Sequence, residues 1–218
     1  MTKTRIKICC ISSKKEAQMA IKWGASALGL VANMPSGPGI IDDQLIAEIN
    51  KIVPPPISTF LLTSETKAEK IITHYNKVST TTIQLVDELQ GLQYQQIRKE
   101  LPHVKLVQVI HVLDNDSVNQ AIEISKHVDA ILLDSGNPNL SVKELGGTGK
   151  THNWELSKKI KENISVPLFL AGGINADNVK QAIDMVQPFA IDLCSSVRTN
   201  GKLDETKLAA FFAQVNGY

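Results

Sequence analysis

The sequence predicts a (β/α)8 barrel, and three observations carry that prediction. Short apolar, β-branched runs alternate with longer segments of helical period along the whole chain, never in strand-only or helix-only blocks. The alternation counts eight of each over 218 residues, about 27 residues per unit, near the short end of what a TIM barrel needs. An open dinucleotide-binding sheet would place Gly-x-Gly-x-x-Gly after its first strand, where this chain reads Cys9-Cys10-Ile11-Ser12.

The first unit is a strand over Ile6 to Ile11 and a helix from about Ser13, where Ser13 and Glu16 have capping-box spacing and Gly24 supplies the stop. A strand over Ala27 to Val31 runs into a long loop containing Met34 to Gly39. The next helix opens at Asp42 or Asp43 and ends before Pro54 to Pro56. Strands over Ile57 to Leu62 and Thr81 to Leu85 precede helices over Ser64 to Tyr75 and Leu92 to Leu101. Strands over Lys105 to Val112 and Ala130 to Asp134 precede helices over Asp116 to His127 and from Asn153, the latter after a glycine-rich loop. Strands over Pro167 to Ala171 and Ala190 to Cys194 precede helices over Ala176 to Val186 and Asp204 to Val215. No linker or composition shift divides the chain, so residues 1–218 read as one domain.

With 43% hydrophobic and 21% charged residues the chain can build a sizeable core. The 23 Lys and Arg nearly cancel 22 Asp and Glu without a long run of one sign, which argues against a nucleic acid or a membrane as the main partner. The N-terminus carries no signal-peptide apolar segment, so the expected compartment is the cytoplasm. The three cysteines fit neither zinc spacing nor a disulfide framework: Cys9 and Cys10 are adjacent and Cys194 is far along the chain. His103, His111 and His152 read as surface or packing residues, with His111 reaching the barrel mouth if the fifth strand is shifted by one.

Strand parity locates the chemistry. In the first strand Ile6, Ile8 and Cys10 should face the helices, which turns Lys7 and Cys9 inward; in the sixth, Ile131 and Leu133 face out and Leu132 and Asp134 in. Gln84, Gln108 and Asp192 are also expected inside, from weaker alternation. Cys9 and Asp134 fall at the C-terminal ends of their strands, where this architecture keeps its catalytic groups. A thiol beside an ammonium can serve as a base, and a carboxyl group against an apolar interior as an acid. A buried thiol can equally be inert packing, and a strand-end Asp a loop anchor.

The loops after strands seven and eight suggest a phosphate site. Gly172 and Gly173 let backbone amides approach an anion, and Ser195, Ser196 and Arg198 add hydroxyls and a guanidinium; Gly146-Gly147-Thr148-Gly149 is a third such element. The expected partner is a small phosphosugar.

Lys7-Ile8-Cys9-Cys10-Ile11-Ser12 resembles the Lys-Ile-Cys-Gly-Ile-Thr opening of the phosphoribosylanthranilate isomerase family of tryptophan biosynthesis. Further matches follow in order: Gly29-Leu30-Val31, Gln84-Leu85, Leu133-Asp134-Ser135, Gly146 to Gly149 with Trp154, Leu170 to Ile174 with Asn178-Val179, and Asp192 with Ser195 and Val197. The resemblance spans the chain. It implies an Amadori rearrangement without cofactor or metal, with Cys9 as general base and Asp134 as general acid. It also implies phosphate held by backbone around Gly147, Gly172, Gly173, Ser195 and Ser196. The expected assembly is a monomer or homodimer.

The chain departs from the family pattern in four places. Ser36-Gly37-Pro38-Gly39 replaces Ser-Pro-Arg, whose Arg pairs with the anthranilate carboxylate, and no basic residue lies between Lys22 and Lys51. Losing such a charge-assisted bond costs about 1.5–3 kcal/mol. Val86-Asp87 replaces His-Gly, bringing an acid near the expected substrate; Cys10 replaces Gly; and Ser195-Ser196-Val197-Arg198 replaces Ser-Gly-Val-Glu. Three readings stand: the family's own isomerase with another carboxylate partner such as Arg198, a paralogous isomerase of another phosphosugar adduct, or a non-catalytic phosphosugar-binding barrel.

Overall fold

The computed structural model, which describes residues 4–35, 37–136 and 151–215, closes eight parallel strands into a barrel in chain order. These are β1 (Arg5–Ile8), β2 (Ala27–Val31), β3 (Ser58–Thr63), β4 (Thr82–Leu85), β5 (Lys105–His111), β6 (Ala130–Asp134), β7 (Leu168–Leu170) and β8 (Ala190–Leu193). The barrel closes where β8 pairs with β1, with Lys7 opposite Asp192 and Ile8 opposite Leu193.

The helices between them are α1 (Lys14–Trp23), α2 (Asp43–Ile52), α3 (Ala68–Val78), α4 (Gln93–Glu100), α5 (Asp116–Ser125), α6 (Trp154–Asn163), α7 (Val179–Val186) and α8 (Glu205–Val215). Local chemistry sets several of their ends. Ser13 accepts from the Glu16 amide, Asp42 from Leu45 and Asn153 from Glu155, and Gly24 closes α1 at φ 105°.

Of the boundaries that differ from the sequence reading, three have a visible reason. α3 starts at Ala68 instead of Ser64 because the Thr63 hydroxyl takes the Glu65 amide and turns the chain, and the Ala68 amide donates to Gln93 Oε1. α7 starts at Val179 instead of Ala176 because the Asn175 side chain accepts from the Asp177 and Asn178 amides in a turn. β1 stops at Ile8 because Cys10 adopts φ 62°. A short hairpin, β9 (Arg198–Thr199) with β10 (Lys202–Leu203), adds to the elements that the sequence pattern predicts.

The apolar residues divide into two layers. Ile8, Leu28, Leu30, Leu61, Ile83, Leu106, Ile131 and Leu133 pack against the helices. A smaller cluster including Ala27, Val31, Phe60, Val107, Val109, Leu132 and Phe169 fills the barrel. The narrow interior takes smaller side chains or single aromatic plugs, so the polar residues that share it are few and closely confined.

Candidate active site

Lys7 and Asp192 form the floor. Directly opposite across the β1–β8 seam, they make a 2.8 Å ion pair, with Lys7 fully buried and its ammonium 5.1 Å from the centre of the Phe60 ring. Burial works against the Lys7 charge, but Asp192 and the Cys9 sulfur outweigh it and hold the ammonium above its ordinary pKa. Lys7 does not line the cavity above, so its charge acts on that cavity through Asp192 and Cys9. Asp192 does line it: Oδ2 receives Lys7, while Oδ1 has no hydrogen-bond partner among the described residues.

Cys9 follows β1, its amide donating 2.7 Å to the Leu193 carbonyl. A hydrogen bond with the Cys10 thiol lowers its pKa most, and Lys7 adds to that against the opposing effect of burial. Across the barrel Asp134 shows the opposite perturbation. Burial pushes its carboxyl up to about 6, aided by the Asp192 charge and moderated by the Ser135 amide, which donates 2.7 Å to Oδ1. A sulfur biased toward thiolate and a carboxyl biased toward its acid form thus line one cavity.

Cys10 corrects the parity reading. Its positive φ ends the strand alternation, so the thiol joins the interior cluster instead of the helix layer, with its Sγ 2.6 Å from that of Cys194. Both line the cavity. Hydrogen bonds to Cys194 and Cys9, with burial, raise the Cys10 pKa well above its ordinary value, leaving it a protonated donor.

Arg198 turns away from the cavity. Its guanidinium pairs with both Glu16 oxygens at 3.1–3.2 Å and donates to the carbonyls of Cys9 at 3.1 Å, Cys10 at 2.5 Å and Gly201 at 3.0 Å. It neither completes a phosphate cradle nor faces a substrate carboxylate; it ties the end of β1 to α1. Glu16 also accepts from the amides of Ser12 and Leu203, so the capping-box carboxylate reaches further than its spacing predicted.

Gln108 is a second correction. Val107 and Val109 belong to the interior, so Gln108 points into the helix layer, accepting from the Tyr94 hydroxyl and donating to the Leu85 and Asp87 carbonyls. That shift of one places His111 on the inner parity, in register beside Asp134. Asp87 does not line the cavity. Gln84 does, buried, with Oε1 unpartnered among the described residues.

One end of the cavity is formed by Gly172 and Gly173, both at positive φ, with Ser195 and Ser196. A side chain at Gly172 would meet Ser135 at 3.0 Å, so its glycine brings the β7 and β6 loops together. Gly147 lies outside the described residues, as does Ser36. The other end is apolar, with Val31, Met34, Leu62 and Val86. None of the described lining residues is cationic. Sequence reasoning missed Cys10, Cys194 and the space left by Gly29, since an alternating pattern shows neither a positive φ, nor which distant strands become neighbours, nor a void.

A family model described as N-(5'-phosphoribosyl)anthranilate (PRA) isomerase matches residues 6–214. The chain is 34% identical over 209 residues to N-(5'-phosphoribosyl)anthranilate isomerase 2 of Methanosarcina mazei, covering 95% of this chain and 92% of that one. It is 31% identical to the Methanosarcina acetivorans isomerase over 98% of this chain and 93% of that one. The crystal structure of phosphoribosyl anthranilate isomerase from Thermotoga maritima superimposes with a TM-score of 0.83 at 28% identity, covering 99% of this chain and all of that one. A phosphoribosyl anthranilate isomerase in complex with reduced 1-(o-carboxyphenylamino)-1-deoxyribulose 5-phosphate gives 0.80 at 25% identity, with 99% and 100% covered.

Proposed function

Because this chain belongs to the N-(5'-phosphoribosyl)anthranilate isomerase family, we propose that it catalyses the Amadori rearrangement of phosphoribosylanthranilate with Cys9 as general base and Asp134 as general acid. The observation that carries this assignment is the opposite perturbation of the two groups around one cavity. Asp134, raised to about 6, keeps its proton further toward neutral pH, while the lowered pKa of Cys9 favours its thiolate.

Asp134 protonates the furanose ring oxygen, and the C–O bond opens to an iminium. The Cys9 thiolate then removes the proton from the adjacent sugar carbon, giving an enolamine that tautomerises to the ketone. Both steps are proton transfers, and the chain supplies both groups. Lys7 and Asp192 hold the charge balance below Cys9, and Oδ1 of Asp192 and Oε1 of Gln84, without partners among the described residues, are acceptors for the sugar hydroxyls. The phosphate is held at Gly172, Gly173, Ser195 and Ser196, with Gly147 as a further amide donor, and the aryl group lies against the apolar end.

The test is turnover of freshly formed phosphoribosylanthranilate by the purified protein, followed as loss of anthranilate-type fluorescence. Turnover supports the assignment. The absence of a cationic group among the described lining residues favours a second reading, a paralogous isomerase of a phosphosugar adduct without the carboxylate. A folded wild type that binds inorganic phosphate but leaves the fluorescence unchanged rejects the first reading and leaves this one and a non-catalytic phosphosugar-binding barrel.

A further inference from the structure

The three cysteines converge on the closure seam of the barrel. Cys9 and Cys10 follow β1, Cys194 follows β8, and these strands pair at Ile8 and Leu193 immediately before them. Cys10 and Cys194 are 184 positions apart in sequence, yet their sulfurs are 2.6 Å apart, within about 0.6 Å of a covalent S–S bond of ~2.05 Å. Two features fix that approach. Arg198 clamps the Cys9 and Cys10 carbonyls against Glu16, and Gly39 lies so close over Cys10 that a side chain there would meet its Cβ at 2.5 Å.

We propose that Cys10 and Cys194 are a redox modification site: a dithiol that a low-molecular-weight disulfide converts to a reversible cross-link over the barrel mouth, switching the site off. Cys194 is the more accessible of the two and lines the open cavity, whereas Cys10 is 4% exposed. The Cys194 thiolate attacks the incoming disulfide RSSR, forms Cys194–S–S–R and expels one RS⁻, which takes up the proton Cys194 lost. The Cys10 sulfur then attacks the Cys194 sulfur and expels the second RS⁻, which takes up the Cys10 proton. The protein pair loses two electrons and two protons, and RSSR becomes two RSH.

The consequence for Cys9 is specific. Its sulfur loses the thiol hydrogen of Cys10, the strongest influence favouring its thiolate, and the cross-link draws Cys10 toward β8. The cross-link itself needs only the sulfurs; its effect on turnover rests on the isomerase reading.

The experiment treats the full chain with oxidised glutathione, alkylates the remaining thiols and maps the products by mass spectrometry, with turnover measured before treatment, after it and after dithiothreitol. The expected result is a Cys10–Cys194 cross-linked peptide with Cys9 still alkylatable, at least a tenfold loss of turnover, and full recovery on reduction. Cys10→Ser should stop at a glutathione adduct on Cys194, and Cys194→Ser should leave Cys10 unmodified and its own rate insensitive to oxidant. The proposal is overturned if both thiols remain alkylatable, if the cross-link joins Cys9, or if the cross-linked protein turns over at the untreated rate. A reduced wild type without turnover refutes the isomerase reading, while the peptide map still decides whether the pair is a redox site.

Discussion

Gly29 leaves the space that Cys9 occupies. A methyl group built on Gly29 would lie 2.7 Å from the Cys9 sulfur and 3.2 Å from the Lys7 ammonium. Gly29 faces the interior between Ala27 and Val31, so β2 is recessed at the point where β1 directs its two functional side chains. Gly29→Ala should therefore displace the sulfur while the barrel still forms. Overpacking of this kind costs about 1–3 kcal/mol, and misplacing a reacting group by about 1 Å lowers the rate roughly a hundredfold. Steady-state kinetics with a thermal melt check this; the expected signature is a fall in kcat with little change in KM.

Asp134→Asn should abolish most turnover yet stabilise the fold above pH 6. The native carboxyl is raised from 3.8 to about 6, so between those values the folded state binds more protons than the unfolded one. Wild-type stability then falls as pH rises through this window, a loss of about 3 kcal/mol at about 1.4 kcal/mol per unit. The Asn variant lacks that loss. Denaturant unfolding at pH 4 and pH 8 should show the variant gaining on wild type only at the higher pH, while removal of a general acid lowers the rate about 10²- to 10⁴-fold.

Removing one partner of the barrel-floor ion pair leaves the other charge buried. Asp192→Asn should cost about 3–5 kcal/mol in denaturant unfolding, and combining it with Lys7→Met should recover a large share. Equal losses in the single and double variants would contradict the pairing.

Arg198 separates a tether from a substrate contact. Arg198→Met strands Glu16 among buried donors, with an expected loss of about 3–5 kcal/mol, and Arg198→Lys should not restore it because the guanidinium serves both Glu16 oxygens and three carbonyls. Glu16 is held below its ordinary pKa: burial opposes its charge, but the Leu203 amide, Arg198 and the Ser12 amide outweigh it. Its stabilisation is thus present above the ordinary carboxylate range and lost as pH falls through the lowered value. Arg198→Met should blunt that acid-side loss. KM for the anthranilate-bearing substrate, measured at a temperature where the variant is folded, should stay within a few-fold of wild type.

Much of this was legible in the sequence because periodicity and burial are coupled. The alternation of β-branched runs with helical segments points to the barrel, and the inner parity of Lys7, Gln84, Asp134 and Asp192 can be read because polar residues amid apolar neighbours are conspicuous. Parity does not place Gln108 because both faces of β5 are apolar; the usable signal is size, with Leu106 and Ile110 on its side and the smaller Val107 and Val109 on the other. Parity does not place Cys10 because a positive φ at a non-glycine residue is invisible to alternation. The meeting of Cys10 with Cys194, and of Arg198 with Glu16, depends on the first and last strands becoming neighbours, which barrel closure supplies and local pattern does not.

The division of base and acid roles between Cys9 and Asp134 is read out by the pH profile of kcat/KM for phosphoribosylanthranilate in wild type, Cys9→Ala and Asp134→Asn. The wild-type profile should decline as the acid with a pKa of about 6 loses its proton. This limb should vanish from any residual activity of Asp134→Asn, and Cys9→Ala should lose turnover at every pH. Wild-type rates in either variant, or a falling limb unchanged in Asp134→Asn, would overturn that division of roles.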